Sequence, residues 1–339
     1  MSTILAAMQN SLLILDSTKD GWRINEHIKQ HNPNSLALDP SNPDRAYCGT
    51  FDAGLWKTDN GGQTWEKTSN VSNHNITAIS VNPIKKKTNG FSKLYVGTEP
   101  SIIFLCSDGG QTWERLDELN KLKSSSTWSF PPRPSTNHVR WIEPDKNKEG
   151  YIFVAIEAGA LIKSLDGGKT WIDKVQHSPY DTHVLRTHKK APKRLHSAAG
   201  DGYFESDDYG HSWKKFDEGL YHQTYLVGLA LNSIDPQNMI VSAASNAGKA
   251  HSREDPDSFV YRRSADEEKW ELVTSGLPNS KGTIISILES NPNSGNEFYC
   301  LNNRGIYSSK DSGISWDMLE IQWPKEYLLQ HPMALAIID

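Results

Sequence analysis

Four histidines, His74, His138, His183 and His331, stand at or just before strand-like segments spread along a chain of 339 residues. A second polar set follows other strand-like segments: Gln9, Asp52, Glu99, Glu157, Asp201, Asn246 and Asn303 with Arg304. Two chemistries open if a fold gathers them. His74, His138, His183 and His331 in a ring would hold one divalent metal, with Zn, Fe, Cu or Ni all compatible with imidazole. Alternatively, Glu99, Glu157, Asp181, His183 and Asp201 supply general acids and bases, while arginines clamp an anionic substrate. The substrate contacts would then be Arg133, Arg140, Asn246, His251, Arg253, Asn303 and Arg304. In extended chain, residues i and i+2 share a face, which puts His138 with Arg140 and Asp181 with His183. An Asp–His pair of that kind orients an imidazole for a metal.

A repeat would gather these residues. Trp22, Trp65, Trp113, Trp171, Trp213, Trp270 and Trp316 recur at separations of 42 to 58 residues. Most follow a turn of the form Ser-x-Asp-x-Gly-x-Thr-Trp. The cleanest copies are Ser164–Trp171, Ser206–Trp213 and Ser309–Trp316; Thr58–Trp65 and Cys106–Trp113 are close, and those before Trp22 and Trp270 are worn. A period of roughly 40 to 50 residues predicts a β-propeller, with one four-stranded blade per repeat. In the turn, an Asp side chain accepts backbone N–H bonds, Gly supplies positive φ and a hydroxyl closes the loop. Asp108, Asp166, Asp208 and Asp311 are therefore turn locks rather than catalysts.

The turn resembles the Asp-box, or bacterial-neuraminidase repeat, of sialidases, xyloglucanases, the sortilin ectodomain and photosystem II assembly factors. The resemblance covers nearly the whole chain and implies a sialidase-like propeller fold. Those families do unrelated things, so it implies no single activity. Sialidases of this type are six-bladed and carry Arg-Ile-Pro in the first blade. The similar string here, Arg23-Ile24-Asn25, falls in an outer strand away from the axis.

The expected architecture is all-β: one seven-bladed β-propeller domain over residues 1–339. The blades fall at 332–339 with 1–28, 33–70, 74–119, 137–176, 181–218, 225–275 and 282–320. No inner strand precedes the first segment, and Met333–Ile338 has no blade after it, so the last strand should complete the first blade and remove an open edge. The starts of the inner strands and the second-to-third turns share one face, near the axis, where both polar sets converge. The connection from Lys121 to Asn137, carrying Trp128, Phe130 and Arg133, is too long for a turn and is expected to cover that face.

No apolar run approaches the roughly 18 residues of a membrane span. The opening lacks a basic stretch, and Cys48, Cys106 and Cys300 are odd in number and scattered; both features lead us to expect a cytoplasmic chain with reduced thiols. A net charge of -5 draws in neither nucleic acid nor anionic membranes. Lysines do gather on the opposite face, at Lys85–Lys87, Lys146 with Lys148, and Lys189–Arg194, where an acidic protein partner would fit. The expected function is an intracellular enzyme, of hydrolase or lyase type, acting on a small polar or anionic molecule at the axial face. A glycosidase-like hydrolase and a non-catalytic protein-interaction scaffold are the alternatives.

Overall fold

The structure, a computed structural model, describes residues 2–68, 71, 74–84 and 90–339. Runs of alternating or apolar residues form short antiparallel ladders, as their period of two requires. Blade I comprises Pro33–Leu38, Ala46–Thr50, Gly54–Thr58 and Glu66–Lys67. The inner strands of blades II to VI are Asn75–Val81, Val139–Pro144, Thr182–His188, Tyr225–Leu231 and Ile287–Ser290. Each packs beside the next around one axis, giving the seven-bladed propeller. In blade III the outer strand shrinks to the single bridge Lys163–Ile172. In blade VI pairing begins at Ile287 rather than at Ile284, because the Asn303 side chain takes the Ile284 N–H at 2.9 Å.

The seventh blade is made from both ends of the chain. Pro332–Ile338 is its inner strand and pairs antiparallel with Thr3–Met8, from Thr3 opposite Ile338 to Ala7 opposite Ala334. Ser11–Thr18 and Gly21–His27 complete the sheet. Its two faces bury different neighbours. Ile4, Ala6 and Met8 pack with Tyr299, Leu301 and Ile306 of blade VI, while Leu5, Ala7 and Leu12 pack with Ala46 and Cys48 of blade I.

The box turns hold the outer half of five blades, at Thr58–Trp65, Cys106–Trp113, Ser164–Trp171, Ser206–Trp213 and Ser309–Trp316. In Ser206–Trp213, the Ser206 hydroxyl donates to Asp208 Oδ1 at 2.8 Å and accepts from the Gly210 N–H at 2.8 Å. Ser212 N–H then donates to Asp208 Oδ1, and its hydroxyl to Oδ2. Gly210 sits at φ +72°, a conformation that side chains rarely adopt. In the first box Asn60 takes the Asp position with the same geometry, except that its amide now donates to Thr64 Oγ1. Cys106 replaces the first hydroxyl and uses its Sγ in the same way. All three cysteines are buried and unpaired. Among the described residues, no helix is long and apolar enough to cross a membrane.

Two predictions follow from this construction. Deleting residues 332–339 removes the inner strand of blade VII and opens the ring, so cooperative melting, followed by near-UV circular dichroism, should vanish. The second concerns acid. Burial pushes the Asp208 carboxyl up, but hydrogen bonds from Ser212, Ser206 and His211 outweigh it and hold it at about 2. Its folded pKa lies below its unfolded one, so its contribution is present above about pH 4 and fades as pH falls toward 2. Asp208→Asn, which keeps the turn as Asn60 does, should flatten the drop in melting temperature between those pH values.

Candidate functional site

The inner strands do not run in unbroken register. In blade I, Pro33 pairs with Thr50 and Ser35 with Gly49, leaving Asn34 out of the ladder. The same break leaves out Thr77, Arg140, His183 and Met333 in blades II, III, IV and VII, and Val227 with Gly228 in blade V. A bulge of this kind re-aims a side chain. Arg140 and His183 are thus equivalent residues of adjacent blades.

The bulges also correct the expected histidine ring. Counted from the bulged residue, His74 lies three positions before it, His138 and His331 two before it, and His183 is the bulged residue itself. The four are not equivalent, and their ring nitrogens do not converge. His74 lies tilted against Phe104 with centroids 4.9 Å apart, and His331 tilted against His251 at 5.7 Å. Among the described residues, the one group of three potential ligands whose donor atoms lie within 4.8 Å of one another is Glu157, Asp181 and His183.

Glu157 is the centre of the cluster that does form. His138 Nε2 stands 2.7 Å and Arg140 Nε 3.2 Å from its Oε2, while its Oε1 faces His183 Nε2 at 3.9 Å. Burial pushes this carboxyl up, but the His138 hydrogen bond and the charges of Arg140 and His183 outweigh it, and Glu157 is held ionised well below the usual range. His183 is 2% exposed and His138 5%. The His183 Nδ1–H donates to the Leu226 carbonyl at 2.5 Å, and Nε2 stands 3.5 Å from Asp181 Oδ2. The expected i, i+2 pairs therefore come together: His138 and Arg140 on one oxygen of Glu157, and Asp181 with His183.

Glu99 is committed to the covering connection. Arg133 grips it with Nε and one terminal nitrogen, at 2.8 and 2.5 Å, and lies over the rings of Phe51 and Phe130. Phe130 in turn meets the His138 ring edge-on at 4.7 Å, and Trp128 is buried beneath the connection. Segment 121–137, expected to cover the axial face, packs its Arg133 and Phe130 against Glu99 and His138 at the cluster's flank.

Several candidates are placed elsewhere. Asp201 accepts the backbone N–H groups of Tyr180 and Asp181, and Asp52 that of Asn32, so both fasten the start of an inner strand instead of facing the cluster. Asn303 does the same for Ile284. Asn246 caps the short helix Ala247–His251 by accepting from Lys249 N–H. Arg253 donates to Gln9, and Arg304 to the carbonyls of Lys281 and Gly282. Of the basic turns, Lys85–Lys87 lies outside the described residues. Arg194 is turned onto the buried carboxylate of Glu205, and burial depresses Lys146 in the axial channel.

Sequence reading missed Tyr225. It opens the inner strand of blade V, next to the Asp181–His183 strand, and its hydroxyl lies 3.4 Å from His183 Nε2. Its ring continues a row from His183 (5.0 Å) to His251 (5.9 Å) and on to His331. Its position at the start of a strand was the available signal. Below the cluster runs an axial cavity of about 300 Å³, lined at its upper part by Arg140 and lower down by Glu143, Lys146, Arg186 and Glu289.

With fold and cluster described, the similarities can be placed. No protein-family model matches the chain, and no curated protein does. Solved structures do. A GH74 xyloglucanase from Xanthomonas campestris superposes with a TM-score of 0.67 at 13% identity, over 98% of this chain and 52% of that one. An ancestral GH74 enzyme gives 0.63 at 18%, over 82% and 37%. YCF48 bound to D1 peptide gives 0.57 at 18%, over 90% and 92%. At such identities the likeness establishes the seven-bladed propeller fold; this chain spans about half or less of the GH74 chains. One neighbour is a hydrolase and another is bound to a peptide, so activity must be argued from the site.

The Arg133–Glu99 clasp carries a prediction. Arg133→Gln removes the guanidinium fork but spares the buried Trp128, so amide hydrogen exchange in residues 121–137 should quicken by roughly tenfold or more, as expected for a lost charge-assisted pair. Exchange in the blade interiors should stay unchanged.

Proposed function

We propose that the chain is a hydrolytic enzyme acting on a small anionic molecule at the axial mouth. The observation that carries this reading is the clustering of Glu157, Asp181, His183, His138 and Arg140 on two adjacent blades, the two histidines buried and the other three half-buried. Arg140, with the exposed side of Arg133, is the anion-holding element, because guanidinium groups match carboxylate and phosphate oxygens. Glu157 Oε1, Asp181 Oδ2 and His183 Nε2 face one volume. A water held there donates its two hydrogens to the carboxylate oxygens of Glu157 and Asp181, which directs its oxygen lone pair toward a substrate held by the arginines. His138 fixes Glu157 through Oε2 and leaves Oε1 for the reacting water.

The wild-type chain is to be screened against phosphate, sulfate and carboxylate esters, including acidic glycosides. Arg140→Ala should raise KM with a smaller change in kcat, and Glu157→Gln should lower kcat by about 100-fold or more, the usual weight of positioned acid–base groups. Absence of both turnover and small-anion binding would abandon this reading in favour of a protein-interaction scaffold.

A further inference from the structure

Asp181 Oδ2, Glu157 Oε1 and His183 Nε2 converge in a way that the hydrogen bonds within the cluster leave incomplete. Each ligand is steadied through its other polar atom. Asp181 Oδ1 accepts from Ala158 N–H at 2.8 Å, Glu157 Oε2 is held by His138, and His183 Nδ1–H is spent on the Leu226 carbonyl. That last bond matters most. With Nδ1–H on that carbonyl, Nε2 is turned toward two carboxylate oxygens, 3.5 and 3.9 Å away. One donor atom from each of the three residues thus faces the same volume, all within 4.8 Å of one another. The Tyr225 hydroxyl reaches Nε2 only at 3.4 Å, from one side.

The charge count points the same way. Glu99 is matched by Arg133 and Glu157 by Arg140, and among the described residues the ion-pair partner of Asp181 is His183 alone. Three carboxylates therefore stand against two guanidinium groups, a surplus of acidic groups that a divalent cation would offset. The distances allow it: donors each about 2.1 Å from one ion stand at most about 4.2 Å apart, and both separations from His183 fall inside that limit. The backbone has made room as well. A Cβ at Gly200 would lie 2.2 Å from Asp181 Oδ2, so a side chain there would push the carboxylate out of the group.

We infer that Glu157, Asp181 and His183 form a site for one divalent transition metal, with zinc or manganese the ions that suit an imidazole and two carboxylates. Three protein ligands leave a coordination position for water, whose pKa a bound metal lowers. The inference rests on the preceding reading only for what such water would attack; the metal site itself needs no substrate. His183 binds through Nε2 with Nδ1–H held by a backbone carbonyl, the outer arrangement that fixes a metal-binding imidazole.

The test uses the full chain purified without affinity metal, stripped with chelator and dialysed against Zn2+ or Mn2+. Elemental analysis should find about one equivalent of bound ion, and competition titration should give its affinity. Asp181→Asn, which keeps the acceptor for Ala158, and His183→Gln should each weaken binding by on the order of 100-fold, and Gly200→Ala by roughly tenfold. His74→Gln and His331→Gln should leave it unchanged, which separates this site from a histidine ring. If His183→Gln does not fold, 15N NMR of the wild type replaces it: zinc must shift the His183 Nε2 resonance. No stoichiometric binding, undiminished binding in Asp181→Asn, or an unmoved Nε2 overturns the inference. Metal binding without turnover keeps this site and rejects the hydrolase; turnover by a chain that binds no stoichiometric Zn2+ or Mn2+ keeps the hydrolase and rejects this site.

Discussion

Seven inner strands must crowd around one axis, and the break in register near the start of most of them is how this chain meets that constraint. Opposite the residue that follows each bulge, the second strand carries a small residue: Gly49, Gly97, Ala155 and Ala198 in blades I to IV. These small residues let the next blade approach. A Cβ at Gly49 would fall 2.4 Å from Ile76, and one at Gly97 2.5 Å from Val139. The extra residue in the inner strand then has no ladder partner, and its side chain is freed for the axial mouth. In blades III and IV that freed residue is Arg140 and His183. The device that packs the ring therefore also aims the candidate site.

The bulges also explain how far the site could be read from sequence. The propeller, its seven blades and the C-terminal strand in blade VII were legible, because tryptophan spacing and box turns depend on residues close together in the chain. The convergence of His138, Arg140, Asp181, His183, Glu99 and Glu157 on one face was legible too, since strand order alone decides it. Equivalence among the four histidines was not. An alternation rule counts residues, and one bulge shifts the count, so His74 and His331 were aligned with His183 when each belongs to another position. The roles of Asp52, Asp201 and Asn303 were hidden for a different reason. An acidic or amide side chain after the second strand reads as a catalyst, yet a backbone N–H group two strand-ends away claims it. Buried N–H groups demand partners, and short polar side chains at turns are the nearest available.

A second buried carboxylate shows what a purely structural cluster looks like in the same fold. Glu205, between blades IV and V, is gripped by Arg194 and Arg263 and accepts from the Tyr203 hydroxyl. Burial pushes its carboxyl up, but the surrounding positive charge outweighs that and holds it at about 2. His196 beside it is kept neutral, at about 3, chiefly by burial. Here both oxygens are spent on two guanidinium groups. Such a network fixes the packing of two blades, and removing Glu205 would leave both guanidinium groups without a carboxylate.

Glu157 differs from Glu205 in a single respect that has functional weight. Its Oε2 is as fully engaged as either oxygen of Glu205, while its Oε1 faces Asp181 and His183 across a gap that no guanidinium fills. Burying an ionised oxygen next to another carboxylate is costly unless a cation or a reacting water completes the group. The chain has arginines close by and places them on Oε2 and on Glu99. It therefore holds the carboxylate from behind through Oε2 and leaves Oε1 facing Asp181 and His183, which is the arrangement the proposed site needs.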